Sequence, residues 1–592
     1  MFFFINKPFY YICKTLNRSL ITTLKTKSDM SIKENNFPWV SKYPSGISAE
    51  LNPDAYPSLV ELMEEGFKKF SAQPAYTFMD KTLTYAEVDK KSRDFAAYLQ
   101  SLGLQKGDKI AIQMPNCSQY PIALYGSLRA GLVVANTNPL YTPREMKHQF
   151  TDSGAKAIVM VANFAFNLEK VIEETQIKHV IITELGDLLG FPKKQIVNFV
   201  VKSVKKMVPD YSISGVVKFG DALSMGESAS YTRPSLAGSD TAFIQYTGGT
   251  TGVSKGAVLS HRNMVANTEG IAAWFGPMMK FDFPRTILGA LPFYHIFALT
   301  VNAFSTFKLG FHNLMIPNPR DQKALLKDLK KHKLFVFPGL NTLFNSLLNN
   351  PEFLALDFSN LKITISGGMA LQKTVADAWE KATGCRVTEG YGLSETAPVL
   401  SCNPVNGTQQ IGTIGLPFPS TEMRILKDDN SWGVVGEVGE ICAFGPQVMS
   451  GYYLRAEETA NVFINDEEGR PFFKTGDIGL MQPDGFFKIV DRKKDMILVS
   501  GFNVFPNEIE EVVSQCPGVL EVACIGVPDD KSSEAVKIFV VKKDQSLTEE
   551  AVRDFCKENL TGYKCPKHIE FRADLPKTNV GKILRRELRD TN

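Results

Sequence analysis

A glycine- and hydroxyl-rich stretch, YTGGTTGVSKG at residues 246–256, directly follows the apolar run TAFIQ. Glycine lets the backbone approach a ligand closely, so such a loop after a strand can point several N–H groups at one anion. In a P-loop the lysine precedes Ser or Thr, whereas here Lys255 precedes Gly256. The stretch therefore predicts a phosphate-binding loop of another type, with a surface hairpin between two strands as the alternative.

Apolar, strand-like runs alternate with helical stretches between about residues 50 and 490, which predicts a layered α/β architecture. Glycine often ends these runs, where the ligand crevices of such sheets are usually found. Beyond Asp491 the pattern changes to helices and short strands of a smaller α+β unit, in which Ser546 and Glu549 fit a helix capping box. We expect a large domain at residues 30–490 and a small one at residues 491–592.

The composition limits the class of protein. The chain has 592 residues and is 44% hydrophobic, which suits two or more domains. No apolar run approaches the roughly 18 residues that a membrane-spanning helix needs. Nine scattered cysteines, never spaced Cys-x-x-Cys, favour a reducing compartment and argue against a zinc site. The net charge of +3 gives no case for nucleic-acid binding.

Residues 1–29 differ from the rest of the chain. They are aromatic and basic, with five Lys or Arg and one Asp. Met30 then opens a polar stretch that leads into ordinary globular sequence. We expect an over-extended start codon here, with a targeting segment or a functional arm as alternatives.

Five motifs, in this order, resemble those of the adenylate-forming superfamily of acyl-CoA synthetases, peptide adenylation domains and luciferases. They are YTGGTTGVSKG (246–256), EGYGLSE (389–395), KTGDIG (474–479), IVDRKKDMILVSGFNVFPNEIE (489–510) and PKTNVGKILRREL (576–588). Further stretches such as LPFYHIFALT and LTGYKCPK are most similar to the bacterial long-chain fatty-acid–CoA ligases. The likeness runs from about residue 37 to residue 592.

This resemblance implies an α/β fold class with a large, multi-layered N-terminal adenylation domain and a small, mobile α+β C-terminal domain. It implies that a fatty carboxylate attacks the α-phosphorus of MgATP to give acyl-AMP and pyrophosphate, after which the CoA thiol displaces AMP. The enzyme's task in both steps is to offset charge and hold geometry. ATP, CoA and a long-chain fatty acid are the implied partners, and Mg²⁺ is the implied cofactor.

By the same resemblance, the first motif would bind the β- and γ-phosphates, and Thr247 would also be catalytic. Its cofactor-binding positions would be Tyr246, Thr247, Gly248, Gly249, Thr250, Thr251, Gly252, Val253, Ser254, Lys255, Gly256 and Ala257. Glu395 would bind Mg²⁺, a hard cation that prefers oxygen ligands, and would thereby serve catalysis.

Three residues would bind the nucleoside. Tyr391 would stack on adenine, unless it is a core aromatic residue. Asp477 would accept both ribose hydroxyls, a task suited to an ionised carboxylate, unless it is a turn residue after Gly476. Arg492 would join Asp477 at the ribose or the phosphate.

Lys582 would catalyse the first step by bridging the fatty carboxylate and the α-phosphate, whose charges repel each other. A lysine near a C-terminus is otherwise ordinary surface. His295 would lie at the carboxylate end of the acyl pocket or, equally, be a core histidine. Small residues in SGGMAL (366–371) could open an acyl tunnel, with Trp274 as its gate.

Asp491 would be the hinge about which the small domain rotates after adenylation. That rotation would withdraw Lys582 and bring Gly501 to the pantetheine tunnel of CoA, although Gly501 also fits an ordinary β-turn.

Residues 191–211, FPKKQIVNFVVKSVKKMVPDY, form a separate signal. A helical projection places five valines on one side and the lysines mostly elsewhere. The valines are Val197, Val200, Val201, Val204 and Val208. Such a segment lies on an anionic membrane or packs on the domain core. We expect a cytoplasmic enzyme that associates peripherally with the cytoplasmic membrane, and we consider a homodimer among its assemblies.

Other functions stay open at this point. An enzyme of the same fold could load another thiol, such as a carrier protein, or act as a luciferase-like oxygenase. A nucleotide-binding or membrane-associated scaffold without catalysis is a third interpretation. The joint presence of Lys582, Glu395 and Asp477 argues against this scaffold.

Overall fold

The computed structural model describes residues 37–247, 254–280, 285–406, 408–529, 532–578 and 581–590. Residues 1–29 and residues 248–253 of the predicted phosphate loop lie outside the described residues, so the interpretations given for them stay predictions.

The first large sheet has nine strands, parallel in its centre and antiparallel at both edges. In spatial order they are Leu416–Pro417, Val399–Cys402, Val387–Gly392, Ile363–Gly367, Val336–Gly339, Thr286–Gly289, His312–Met315, Pro74–Phe78 and Lys81–Thr84. The motif residue Tyr391 and the small residues from Ser366 onward therefore lie at the carboxyl ends of neighbouring parallel strands.

The second large sheet has seven strands, all parallel except for the last pair. In spatial order they are Val217–Lys218, His179–Thr183, Ala155–Val161, Lys109–Gln113, Val133–Asn136, Thr241–Thr247 and Lys255–Ser260. Central strands such as Ala155–Val161 are almost entirely buried, as expected for parallel strands that helices cover on both faces.

Two five-stranded sheets complete the fold. The third sheet, wholly antiparallel, contains Glu422–Leu426, Gly439–Phe444, Phe463–Asn465, Pro471–Met481 and Phe487–Arg492. The fourth belongs to the C-terminal unit and contains Ile497–Val499, Phe502–Val504, Val519–Asp529, Ser533–Lys542 and His568–Arg572. Asp491 lies in the last strand of the third sheet, shortly before the fourth sheet begins.

Helices flank these sheets. The α-helices are Leu59–Lys69, Tyr85–Ser101, Gln119–Arg129, Pro143–Ser153, Ala165–Glu169, Lys193–Phe199, Phe219–Glu227, His261–Phe275, Ile296–Ala298, Thr306–Lys308, Gln322–Leu329, Asn341–Leu348, Pro351–Leu354, Lys373–Thr383, Ala456–Asn461, Pro506–Ser514, Glu549–Asn559 and Arg585–Asp590. Val200–Val204 and Leu299–Ser305 are π-helical. Among the described residues, no helix combines the length and apolar character needed to cross a bilayer.

The helix after the hairpin shows how local sequence fixes an element near the site. The Ser260 hydroxyl accepts a hydrogen bond from the backbone N–H of Asn263, and the Asn263 Oδ1 accepts one from the Ser260 N–H, which completes a capping box. The Asn263 amide also donates to the carbonyls of Pro446 and Val448. This cap therefore ties the start of helix His261–Phe275 to the chain that approaches Tyr452.

The predicted α/β fold class, with a large N-terminal domain and a small C-terminal domain, is confirmed. The mobility of the small domain stays a prediction. One local prediction is wrong: helix Glu549–Asn559 is capped by Thr548, whose hydroxyl accepts from the Ala551 N–H, and not by Ser546.

Candidate active site

The predicted phosphate loop connects two antiparallel strands, which pair Thr247 with Lys255 and Tyr246 with Gly256. The two strands therefore form a β-hairpin, and phosphate binding by the residues between them stays a prediction. Gly256 packs so closely on Ile244 that a Cβ atom at this position would lie 2.3 Å from the Ile244 Cγ2. Packing of the strands therefore requires glycine here.

One tyrosine, which the sequence analysis missed, joins this hairpin to Glu395. Tyr452 forms a β-bridge with Ala257, and Lys255 Nζ lies 4.9 Å from the centre of the Tyr452 ring. The Tyr452 hydroxyl donates a 2.8 Å hydrogen bond to Glu395 Oε1. Lys255 and Glu395, the carboxylate expected to bind Mg²⁺, therefore both contact Tyr452.

The base of the hairpin is held by further polar contacts. The Tyr246 hydroxyl donates to Asp152 Oδ2 at 2.8 Å, and Arg455 forms an ion pair with the same carboxylate. The Ser254 carbonyl lies 2.9 Å from His148 Nε2. These contacts fix both ends of the loop relative to the second sheet.

Glu395 lies in the short 3₁₀ turn Ser394–Thr396 and is only 8% exposed. Burial raises the pKa of this carboxyl, because desolvation disfavours its charged form. No group of three metal-ligating side chains occurs in the described part of the chain. Since Mg²⁺ is usually held by one or two carboxylates together with phosphates, a single buried carboxylate fits an ion shared with a triphosphate.

Asp477, Arg492 and Tyr391 form a second cluster, in which Asp477 and Tyr391 are buried and the Arg492 side chain is 44% exposed. Asp477 and Arg492 are direct partners on neighbouring antiparallel strands, with Arg492 Nε 3.1 Å from Asp477 Oδ1. The Tyr391 hydroxyl donates to Asp477 Oδ2 at 2.7 Å. Burial, followed by the charge of Asp477, raises the pKa of Tyr391. Asp477 lies within strand Pro471–Met481 rather than in a turn, while the Tyr391 ring packs in the hydrophobic core.

Lys582 enters the site from the small domain. Its backbone is fixed by Thr578, which donates its N–H to the Lys582 carbonyl at 2.7 Å and accepts the Lys582 N–H on its hydroxyl at 3.0 Å. The Lys582 side chain then passes Gly368, where a Cβ atom would lie 3.2 Å from the Lys582 Cε. Gly368 also has a φ of +84°, so both its backbone and the passing lysine favour glycine.

The charges around Lys582 come from three of the other motifs. Burial, followed by the cation of Arg492, lowers the pKa of Lys582 to about 8, and the carboxylates of Asp477 and Glu395 act in the opposite direction. Residues from four different motifs therefore share one electrostatic environment.

His295 occupies the start of helix Ile296–Ala298, where its Nδ1 accepts the Phe297 N–H at 3.3 Å. Burial, followed by the charge of Lys582, lowers the pKa of His295 to about 3. The imidazole is thus neutral at physiological pH, serves as a helix cap and lies beside the site lysine. The structure thus shows His295 as a buried helix cap, and its place at the carboxylate end of an acyl pocket stays a prediction.

Asp491 is fully buried and accepts backbone N–H bonds from Arg492 and Asn507, each at 2.7 Å. Arg585 Nη1 lies 3.6 Å from its Oδ1. Burial raises the pKa of Asp491 to about 6, against the effect of Arg585. The side chain of Asp491, the residue predicted as the hinge, therefore contacts Arg492, Asn507 and Arg585 of the small domain.

Two residues lie apart from this cluster. Gly501 is exposed in a turn with a φ of +84° and open space around its Cα, so its expected contact with CoA stays a prediction. Trp274 is fully buried, and its indole N–H donates to the Asn403 carbonyl at 3.0 Å. The predicted gate is thus a packed core residue in this structure.

The structure changes the description of residues 191–211. The α-helix Lys193–Phe199 continues as a π-helix only to Val204. Four of the five valines are partly buried, and another set of apolar side chains is at least half exposed. This exposed set is Phe191, Ile196, Phe199, Val204 and Met207.

The fold and this site define an AMP-binding enzyme. Residues 63–453 match the family described as AMP-binding enzyme, and residues 508–582 match the AMP-binding enzyme C-terminal domain. Because the first match covers more than half of the chain, the chain belongs to this family.

Two relatives and one solved structure are more specific than the match to the family. The long-chain-fatty-acid–CoA ligase of Escherichia coli is 53% identical over 553 residues, which cover 93% of this chain and 98% of the relative. The Bacillus subtilis protein of the same name is 39% identical over 93% of this chain and 97% of its own length. Among solved structures, ATP-bound MatB from Rhodopseudomonas palustris has a TM-score of 0.76 at 28% identity, over 90% of this chain and 98% of that chain.

Proposed function

We propose that the protein is a long-chain fatty acid–CoA ligase, which converts ATP, a fatty acid and CoA into acyl-CoA, AMP and pyrophosphate through an acyl-adenylate. The observation that carries this proposal is the meeting of Lys582 with Arg492, Asp477 and Glu395 in one partly buried site. The 53% identity to a long-chain-fatty-acid–CoA ligase supports the substrate class. A carboxylate is a poor acylating agent, and adenylation supplies its leaving group.

In the first step, the ammonium group of Lys582 bridges the fatty carboxylate and the α-phosphate and offsets their repulsion. Asp477 accepts the ribose hydroxyls, with the guanidinium of Arg492 beside it. The Tyr391 hydroxyl orients Asp477, and its ring adjoins the adenine. The hairpin from Thr247 to Lys255 binds the departing pyrophosphate. His295, being neutral, adds no charge that would compete with Lys582 for the carboxylate.

Glu395 would hold Mg²⁺ together with the phosphates of ATP. When bound, the ion neutralises charge that develops on the pyrophosphate leaving group. The hydrogen bond from Tyr452 orients Glu395 toward that task and favours its ionised form.

The two half-reactions test this assignment. Lys582→Ala should abolish fatty-acid-dependent ATP–pyrophosphate exchange but leave most transfer from supplied acyl-AMP to CoA. Gly501→Leu should do the reverse, because a bulky side chain would block the pantetheine path once the small domain has rotated about Asp491. If both variants lose the same step, the two-arrangement mechanism is wrong for this protein.

CoA is the proposed thiol, and a carrier protein is the alternative. AMP release from preformed acyl-AMP should accelerate with CoA and not with a phosphopantetheinylated carrier protein. A panel of saturated acids from short to very long chain, assayed by AMP release with Mg²⁺, should show its maximum at long chains. A maximum at short chains would contradict the substrate class and leave the adenylation chemistry standing.

We further propose that the enzyme is cytoplasmic and binds the cytoplasmic membrane peripherally through residues 191–207. Five large apolar side chains protrude there, and Phe191 is 87% exposed. Lys202, Lys205 and Lys206 are exposed beside them. Each lysine near an anionic surface contributes on the order of 1 kcal/mol, so the three would supply roughly 3 kcal/mol, enough for reversible binding.

Co-sedimentation with vesicles tests this surface. Wild type should pellet with phosphatidylserine vesicles at low salt and much less at 1 M salt, where the Debye length is about 3 Å. Phe191→Ser with Phe199→Ser should pellet less, as should a triple glutamate variant of Lys202, Lys205 and Lys206. Val434→Ser removes an equally exposed apolar side chain elsewhere and should behave like wild type. Equal pelleting of all variants would exclude this face.

A homodimer, considered above among the assemblies, is tested by light scattering at micromolar concentration. A homodimer gives twice the 65.7 kDa chain mass, and the chain mass itself excludes it.

A further inference from the structure

The chain segment that carries Lys582 rests on one helix of the large domain. Thr342 and Asn345 are three residues apart in helix Asn341–Leu348, so their side chains share one face. Thr342 Oγ1 donates to the Gly581 carbonyl at 3.2 Å. Asn345 Nδ2 donates to the Leu520 carbonyl at 3.1 Å. The helix therefore grips the small domain through its backbone.

A third donor reaches the same region from another segment. Arg320 Nη2 donates to the Thr578 carbonyl at 3.2 Å. Thr578 in turn fixes the backbone of Lys582 through its hydroxyl and its N–H. Because all three donors bind carbonyl oxygens, their effect depends on where the small-domain backbone lies and not on its side chains.

The fit between the helix and the lysine-bearing segment is close. Gly581 has a φ of +91°, and a Cβ atom there would lie 2.8 Å from Thr342 Oγ1. Only glycine accepts both this backbone conformation and this approach. The helix itself is tied to the chain beyond Gly368, since Asn341 accepts the Gln372 N–H at 3.0 Å and donates to the Gln372 side chain at 3.2 Å.

We propose that Arg320, Thr342 and Asn345 form a latch, a set of positioning residues that dock the small domain so that Lys582 lies in the site during carboxylate activation. The inference rests on the proposed function, because it assigns the latch to the first of the two half-reactions. The latch acts through Lys582 and makes no demand on the thiol step, in which the acyl-adenylate already exists.

The latch can be weakened without adding bulk. Thr342→Val keeps the shape of the side chain and removes the donor, and Asn345→Ala removes the amide. A net hydrogen bond is worth roughly a factor of five in an equilibrium, so the loss of both bonds in the double variant should weaken docking of the small domain about 25-fold. Fatty-acid-dependent ATP–pyrophosphate exchange should fall by that factor, while transfer from supplied acyl-AMP to CoA should stay within about twofold of wild type.

Two further variants separate docking from general stability. Ser346→Ala removes a hydroxyl of the same helix that accepts its hydrogen bond from Gln322 of the large domain and not from the small domain. Its exchange rate should equal that of wild type. Thr342→Ser retains the donor and should restore most of the exchange activity. Equal losses in Ser346→Ala and in the double variant would overturn the latch.

A direct readout is the titration of Lys582 with an amine-reactive reagent, followed by mass spectrometry of its peptide. In wild type the labelling should follow the pKa of about 8 that burial imposes. An undocked lysine should return toward the ordinary pKa of about 10.4, so the double variant should label with a higher apparent pKa. An unchanged titration together with unchanged exchange would refute the proposal.

Different experimental results would contradict the proposed function and the proposed latch. If wild type shows no exchange with any fatty acid, the proposed function fails, and the labelling experiment still decides whether these side chains dock Lys582. If exchange is robust but the Lys582 titration is the same in all variants, the function stands and the latch does not.

Discussion

The pKa of Lys582, lowered to about 8 mainly by burial, makes carboxylate activation sensitive to pH in a range where an ordinary lysine stays charged. Only the ammonium form can bridge two anions, so activation requires the protonated lysine. With this pKa, about 90% of the lysine is protonated at pH 7 and about 10% at pH 9. The second-order rate constant kcat/KM for activation should therefore fall about tenfold across this interval, since it reports the free enzyme.

The assay is fatty-acid-dependent ATP–pyrophosphate exchange between pH 6.5 and pH 9.5, with Mg²⁺ saturating. Lys582→Arg is the matched control, because a guanidinium stays charged throughout this range. This variant should be slower and should lack the decline above pH 8. The same decline in Lys582→Arg would assign it to another group, and a flat profile in wild type would refute the argument from burial.

Three further predictions concern the same site. Glu395→Gln should lower the rate of adenylation about 100-fold or more, with partial rescue by extra Mg²⁺. Tyr452→Phe should raise the Mg²⁺ concentration for half-maximal pyrophosphate release by up to about tenfold. Normal Mg²⁺ dependence in both variants would show that Glu395 is not part of the site. Gly256→Ala should lower the free energy of unfolding by about 1–3 kcal/mol in urea titrations, because its methyl group would collide with Ile244, and an unchanged midpoint would contradict the tight fit. Asp477→Asn should raise the KM for ATP about 10- to 150-fold with little change in the KM for fatty acid, since a lost charge-assisted hydrogen bond costs about 1.5–3 kcal/mol. Equal changes in both KM values would argue for a general collapse of the site.

The sequence motifs indicated the charged residues that lie together in the structure, but not the residues and elements that hold them in place. Lys582, Glu395, Asp477 and Arg492 lie in short glycine-bearing motifs, and the structure brings all four into one electrostatic environment. Their convergence depends on the strand order of the third sheet and on docking of the small domain. Neither can be deduced from periodicity.

Tyr452, Thr342 and Asn345 could not be predicted from the sequence, and the physical reason is similar for all three. Tyr452 acts through a ring face and a hydroxyl on partners in distant segments, and nothing in its own neighbours signals that role. Thr342 and Asn345 bind backbone carbonyls, which have no sequence signature. A regular helical projection also fails beyond Phe199, because the chain widens into a π-helix at Val200–Val204 and the later residues turn to other directions.

Strand Phe487–Arg492 has a consequence for how nucleotide and domain position are related. Successive side chains of a strand point to opposite faces, and here Arg492 meets Asp477 while its neighbour Asp491 meets Arg585 of the small domain. If Asp491 is the hinge, as predicted, one peptide unit joins it to the proposed ribose site. A rotation of the small domain about Asp491 would then displace Arg492 as well, so the Arg492–Asp477 contact should change between the two half-reactions while the acyl-adenylate stays bound.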